Sequence, residues 1–218
     1  MEQSKQWKER VYHELLPQLI IRSDSTHDPV EILHVPEGWT VMGQGNYAAV
    51  LYPLDDPLWV VKVYAEGRPG LEDEAAVYRK LGSHPAFPEC YEVGETFLIL
   101  KRLDGLNLYN CLLQGIPIPS QVIRDVDQAV SYARARGLNP RDIHGKNILL
   151  HQGRGYVVDV SDFLLEGPDR VWEHFKWAYH WIYRPFFRWR ASAISRSSLE
   201  RLRKVYRRFV KRSRHSNL

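Results

Sequence analysis

Three polar residues between Pro140 and Ser161 have the types and spacing for phosphate chemistry. The stretch reads Pro-Arg-Asp-Ile-His-Gly-Lys-Asn-Ile-Leu-Leu-His-Gln-Gly-Arg-Gly-Tyr-Val-Val-Asp-Val-Ser. Asp142 is followed five positions later by Asn147, which opens the apolar run Ile148, Leu149, Leu150, and Asp159 closes a second run, Tyr156, Val157, Val158. Two short aliphatic runs joined by His-Gln-Gly-Arg-Gly read as a β-hairpin, so Asn147 at its start and Asp159 at its exit come to one end. An amide and a carboxylate there, with a second carboxylate on the preceding loop, suit a magnesium ion carrying a phosphate. Asp and Asn beside turns are also ordinary turn formers, so the elements upstream must decide between the two readings.

Those elements begin with strands at roughly Trp39 to Met42, Ala49 to Leu54 and Trp59 to Tyr64. Between the first two lies Gly43-Gln44-Gly45-Asn46-Tyr47-Ala48, where glycines allow backbone N–H groups to approach a polyphosphate. Two glycines in a hairpin are otherwise just a turn. In Trp59-Val60-Val61-Lys62-Val63-Tyr64 one lysine stands in an apolar strand, where its ammonium is costly to bury unless an anion meets it. The candidate anion is Glu74, with Glu72 as the alternative, in an amphipathic helix near Leu71 to Leu81 whose Ala75, Tyr78 and Leu81 face the sheet. A lysine at a strand edge and a solvated acidic helix face form the competing reading. Further strands at Cys90 to Val93 and Phe97 to Leu103 lead into the polar bend Lys101-Arg102-Leu103-Asp104-Gly105. A short helix around Leu106 to Leu113 follows, then a longer one from Ser120, as cap, to Arg136, stopped by Gly137 and buried along Val122, Val126, Ala129, Val130 and Ala133.

The order glycine-rich turn, strand lysine, helix glutamate, bend, and Asp-x4-Asn hairpin-Asp resembles the protein kinase superfamily over roughly residues 37 to 183. The resemblance implies an α+β, two-lobed fold with a five-stranded antiparallel N-lobe and a reduced helical C-lobe. It implies an ATP- and Mg2+-dependent transfer in which Asp142 orients or accepts the acceptor's hydroxyl proton and Asn147 and Asp159 hold the metal. Lys62, held by Glu74, would neutralise the inner phosphates. Gly43, Gly45, Val50 and Leu100 would line the nucleotide pocket, and the backbone of Lys101 and Leu103 would meet the adenine edge. The implied division is an N-terminal helical extension (1–36), an N-lobe (37–103), a reduced C-lobe (104–190) and a basic C-terminal tail (191–218).

Several positions depart from the family pattern. Pro140 stands where a histidine usually supports the loop, so the loop must be braced differently. His144 occupies the site two after Asp142, as in the Asp-x-His-x-x-Asn arrangement of UbiB-type kinases; it either contacts phosphate as a cation or packs in the loop. Asp159-Val160-Ser161 replaces Asp-Phe-Gly, and only about ten residues separate Asp159 from a helix starting near Asp169. No ordinary activation loop fits there, and the chain is similar in economy to RIO-type kinases.

The composition bounds the class. Apolar residues make up 44% and charged residues 26% of 218 residues, ordinary values for a globular chain. Cys90 and Cys111 form no metal pattern, the N-terminus lacks a signal-peptide core, and no apolar run approaches membrane-spanning length, so a cytoplasmic protein is expected. The first residues place Trp7, Val11, Leu15, Leu16 and Leu19 on one helical face from about Ser4 to Ile21, for packing on the upper lobe or docking to a partner. From Arg184 to Arg214 twelve Lys and Arg face the single acid Glu200, a net of +11 that leaves −7 for the rest of a chain of +4. A basic amphipathic helix over residues 198–212 closes the domain or meets nucleic acid, an anionic surface or an acidic partner. The aromatics between Val171 and Arg190 are expected to fill the lower lobe. The expected function is a serine/threonine protein kinase acting on a protein or on itself. The alternatives are a small-molecule kinase of aminoglycoside type and a nucleotide-binding pseudokinase or adaptor.

Overall fold

The β-branched and aromatic residues that alternate along the first hundred positions pair into one antiparallel sheet. The computed structural model describes residues 2–25, 27–187, 194–195, 197–198 and 201. Strands β3 (Trp39–Gln44), β4 (Ala48–Pro53), β5 (Trp59–Tyr64), β6 (Cys90–Val93) and β7 (Phe97–Lys101) form a five-stranded sheet in the order β3-β4-β5-β7-β6. Lys62 pairs with Val50 on one side and Leu98 on the other, which fixes the middle of β5 at the centre of the sheet. The connection between β5 and β7 contains helix α2 (Leu71–Leu81), which packs Ala75, Tyr78 and Leu81 against Tyr64, Leu98 and Leu100.

Alternation gives each strand two faces, and both are covered here. On the face away from α2, Trp59, Val61, Val63, Phe97 and Ile99 meet Trp7, Val11 and Leu15 of the N-terminal segment. Helix α1 (Glu2–Arg10) runs into a wide turn over Val11–Leu15 in which Leu16 N–H donates to Val11 O at 2.9 Å. Trp7 stacks on Trp59 with centroids 5.4 Å apart, and both indole N–H groups donate to the same Asp56 carboxylate oxygen, at 2.8 and 2.9 Å. The N-terminal helix therefore packs on the sheet.

That helix is shorter than its apolar spacing suggested. Leu16 keeps helical backbone and Leu19 N–H still donates to Leu15 O at 2.9 Å, but Ile20 belongs to strand β1 (Ile20–Arg22), which pairs with β2 (Glu31–His34) in a separate hairpin. The two strands are joined by the polar stretch between Arg22 and Val30. Val30 N–H donates to Gly45 O at 2.8 Å, and Arg68 donates to the Ser23 hydroxyl and carbonyl at 2.8 and 3.0 Å. The hairpin is thus tied to the glycine-rich turn and to the loop before α2.

Beyond Lys101 the chain becomes mainly helical. β8 (Leu106–Asn107) precedes α3 (Leu108–Gln114), so the helix expected from Leu106 begins two residues later, where the Asn107 side chain accepts the Asn110 N–H. α4 (Ser120–Arg134) buries the expected stripe, but the Ser120 hydroxyl makes no cap: it accepts from Arg124 at 3.1 Å. β9 (Ile148–His151) and β10 (Arg154–Val157) form the expected hairpin, and β9 also pairs with β8. A Cβ at Gly155 would lie 2.7 Å from Val122 O, so glycine is what allows β10 to approach α4 so closely. Asp125 of α4 is buried and accepts from Arg154 at 2.9 and 3.0 Å, from Gly155 N–H at 2.9 Å and from Gln121 at 2.7 Å.

α5 (Val171–Ala178) continues through a wide turn (Tyr179–Tyr183) into α6 (Arg184–Phe187). Trp172 and Tyr179 are buried, but Trp177 and Trp181 are 59% and 68% exposed, so the aromatic segment fills the interior only in part. The same helix meets α4 through Trp172 and Lys176, which both bond Asp127. Nearly all of the basic helix expected over residues 198–212 lies outside the described residues. Among the described residues no helix is long and apolar enough to cross a membrane.

Candidate active site

Lys62 is the meeting point. Its Nζ lies 2.6 Å from Glu74 Oε2 and 3.6 Å from Asp159 Oδ1. Glu74 is fully buried, whereas Glu72 is exposed, which settles the choice left open between them. Burial works against the Lys62 ammonium, but the charges of Asp159 and Glu74 outweigh it and hold its pKa well above the ordinary value. Glu74 Oε2 also accepts the Tyr64 hydroxyl, while Glu74 Oε1 and the Tyr78 hydroxyl are buried without a hydrogen-bond partner.

The hairpin brings Asn147 and Asp159 together as its sequence suggested, with Val158 N–H donating to Asn147 O at 3.0 Å. Asp159 Oδ1 accepts both the N–H and the hydroxyl of Ser161, at 3.2 and 2.9 Å. Burial pushes the Asp159 pKa up, yet Lys62 and the Ser161 bonds bring it below the ordinary aspartate value. Asn147 Nδ2 donates to Asp142 O at 3.2 Å, leaving the amide oxygen to face elsewhere. Among the described residues no group of three or more His, Cys, Asp or Glu is arranged to hold a metal by itself.

Asp142 has φ of 51°, a left-handed conformation that Asp tolerates better than most residues. Side chains hold it there from both sides: Asp169 accepts its N–H at 3.3 Å, and Asn147 donates to its carbonyl. Asp169 also accepts Val171 N–H at 2.8 Å, so the same carboxylate opens α5. Arg141 donates to Glu166 O at 2.7 Å, and Asn139 donates its N–H to Phe163 O and its amide to Leu165 O and Gly167 O. Residues 163–169 therefore brace the loop that Pro140 leaves without a histidine. The Asp142 pKa is raised, first by burial and then by Asp162, Asp159 and Asp169, against the opposing pull of His144. His144 Nε2 lies 3.7 Å from Asp142 Oδ2, beyond hydrogen-bond length, and its Nδ1 is buried without a partner.

The remaining positions line the underside of the sheet. Val50 and Leu100 join one apolar cluster with Ala48 and Val60. Gly43 and Gly45 both have ordinary φ, and a Cβ at either would meet nothing closer than Ala48 O at 3.8 Å. The fold itself does not require glycine there. Lys101 N–H is already spent on Glu89 O at 2.7 Å, so of its backbone groups only the carbonyl can serve a ligand. The strand ends at Lys101 rather than Leu103, and the Leu103 N–H meets no acceptor among the described residues.

No family model matches the chain. It is 36% identical over 173 residues to the "Putative serine/threonine-protein kinase YrzF" of Bacillus subtilis (strain 168), covering 78% of this chain and 80% of that protein. The chain belongs to the protein kinase-like family. Shorter stretches of kinase similarity support this. A "Probable myosin light chain kinase" of Dictyostelium discoideum is 30% identical over 98 residues, 41% of this chain and 31% of that protein. "Serine/threonine-protein kinase GIN4" of Saccharomyces cerevisiae is 31% identical over 102 residues, 43% of this chain and 9% of that protein.

For a kinase-like chain, sequence reading named the residues that converge but missed those that hold them. Tyr64, Asp162 and Asp169 went unremarked as site residues. The signal for Tyr64 was its position two after Lys62, on the same face of the strand. For Asp169 it was an aspartate two residues before an apolar helix, a common way to satisfy a first-turn N–H.

Proposed function

We propose that the chain is an ATP- and magnesium-dependent phosphotransferase with a reduced two-lobed kinase fold, acting on serine or threonine hydroxyls of a protein, itself included. The observation that carries this reading is the position of Lys62 between the buried Glu74 and Asp159, at 2.6 and 3.6 Å. Two acids from separate elements around one ammonium are costly to desolvate, which makes sense where that charge has an anion to serve. The likeness to a protein named as a serine/threonine kinase supports the choice of acceptor.

In this reading Lys62 neutralises the inner phosphates, and Gly43 and Gly45 leave backbone N–H groups open to the polyphosphate. Val50 and Leu100 flank the base, and the Lys101 carbonyl and Leu103 N–H meet its edge. Asn147 and Asp159 fit magnesium as an oxygen-only pair: the Asn147 amide has given its N–H to Asp142, and Asp159 keeps Oδ2 beyond the bonds at Oδ1. A bound ion would supply charge neutralisation at the transferring phosphate, as such ions do with a few carboxylate and phosphate oxygens. Asp142, its pKa raised toward the range useful for a base, orients the acceptor hydroxyl and takes its proton. His144 stands beside Asp142 to contact phosphate as a cation. Residues 37–103 and 104–190 serve as the lobes, and the short run from Asp159 to α5 supports activity without an activation-loop switch. The basic run 184–214 offers a surface for nucleic acid or an acidic protein, and such binding weakens steeply with salt.

The test is transfer from γ-labelled ATP with magnesium, with and without a generic protein acceptor, beside Asp142→Ala. Label on protein that disappears in the variant is the expected result. Label found only on a small-molecule hydroxyl favours the aminoglycoside-type alternative. Nucleotide binding with no transfer to any acceptor favours the pseudokinase alternative.

A further inference from the structure

We propose that Tyr64 is a positioning residue for the nucleotide-binding lysine: its hydroxyl holds the Glu74 carboxylate, so the Lys62–Glu74 pair stays assembled while Lys62 serves other anions. The inference rests on the reading of Lys62 given above. Strand alternation puts Lys62 and Tyr64 on one face of β5, and both reach the same oxygen, Glu74 Oε2. Glu74 has 0% exposure, so its charge must be met inside the protein. Lys62 alone cannot be relied on to meet it, because Asp159 lies 3.6 Å from the same Nζ and a bound polyphosphate adds a third claim. The phenol is a neutral donor that no phosphate draws away.

The ring also lies close to the start of the helix that carries Glu74. Gly70, immediately before α2, has φ of +112°, and a Cβ there would lie 3.5 Å from Tyr64 Cε1. Glu74 N–H donates to Gly70 O at 2.9 Å. The Tyr64 ring therefore lies beside the residue that precedes α2, and its hydroxyl bonds the functional side chain of the helix's first turn. Burial, the largest effect, and the Glu74 charge push the Tyr64 pKa up against the pull of Lys62, so the hydroxyl remains a donor across the working range of pH. A second phenol provides the internal comparison. Tyr78 OH is buried near the same carboxylate but makes no hydrogen bond, and Cys90, the other titratable group facing Glu74, bonds instead to Glu92 O.

The experiment compares Tyr64→Phe with Tyr78→Phe, each removing one hydroxyl and nothing else. The readouts are the MgATP dissociation constant, the KM and kcat for transfer, and hydrogen exchange over residues 71–81 in the nucleotide-free protein. A hydrogen bond to a buried charge corresponds to roughly a tenfold effect. Tyr64→Phe is expected to weaken MgATP about tenfold, mostly in KM, and to speed exchange in α2, while Tyr78→Phe changes each by less than about twofold. In a Glu74→Ala background, which removes the acceptor, Tyr64→Phe should add less than about twofold, because the two side chains act as one unit. Equal effects of the two phenylalanine variants, full additivity with Glu74→Ala, or unchanged exchange in α2 overturns the assignment. If the unmodified protein binds no nucleotide, the kinase reading fails instead, and exchange in α2 still decides whether Tyr64 holds Glu74.

Discussion

Val158 donates its backbone N–H to the carbonyl of Asn147 at 3.0 Å, closing the hairpin so that Asn147 and Asp159 share one end. A metal held by this pair depends on one amide and one carboxylate, so removing either should change the magnesium requirement before it changes the fold. Asn147→Ala is expected to raise the magnesium concentration for half-maximal transfer about tenfold, with an unchanged unfolding midpoint. A magnesium titration of both proteins at saturating ATP checks it.

Lys62→Met removes the one cation that pairs with the fully buried Glu74 among the described residues, and Asp159 loses a counter-charge as well. Stability should fall by about 3 kcal/mol, since an uncompensated buried carboxylate costs that much, and transfer should fall by about 100-fold or more. Glu74→Gln leaves no buried charge unpaired and should be the milder change in stability. Denaturant melts of the two variants decide the order.

With Asp142 as the proposed base, its raised pKa is expected to set the acid limb of transfer. A base works in its deprotonated form, so activity is lost as pH falls through a pKa above the ordinary aspartate value. Asp162 contributes to that rise by like charge. Asp162→Asn should therefore move the acid limb of kcat/KM to lower pH. An unmoved limb would separate the two carboxylates.

Asp125 ties α4 to the hairpin through Arg154, Gly155 N–H and Gln121. Although burial raises its pKa, these partners bring it below the ordinary value. A depressed carboxylate contributes stability above its unfolded pKa and loses it as pH falls through the folded one, so this contribution fades below the ordinary aspartate range. Asp125→Ala should cost about 2 kcal/mol at neutral pH by leaving the buried Gly155 N–H unmet, and should flatten the loss of stability on acidification. Urea melts across pH measure both.

Trp7 fills the outer face of the sheet against Trp59 and Tyr91. Trp7→Ala should destabilise by about 3 kcal/mol through the cavity it leaves. Trp7→Phe, which keeps most of the volume and drops the bond to Asp56, should lose less than half of that.

Much of this molecule was legible in its sequence because the strongest signals are local. The lone lysine of β5, the glutamate spaced to face it and the Asn-to-Asp hairpin each follow from strand or helix period. What stayed hidden depends on contacts between distant segments. Nothing in Ser23 or Val30 announces a bond to Arg68 or Gly45, and the β1–β2 hairpin carries only short, half-exposed strands. The apolar spacing around Leu19 favoured helix until the pairing of Ile20 with His34 overrode it. The exposure of Trp177 and Trp181 was equally unreadable, since helical aromatics look alike whichever side of the helix the body covers.

On the proposed reading, the bond from Val30 to Gly45 makes the grip on nucleotide answerable to the first few dozen residues. Expressing the chain from residue 37 onward would strip that anchor from the glycine turn and leave Trp39, Trp59 and Phe97 facing water. Anything that pulls on the N-terminal segment, a neighbouring protein or an affinity tag included, would be felt at the glycine turn.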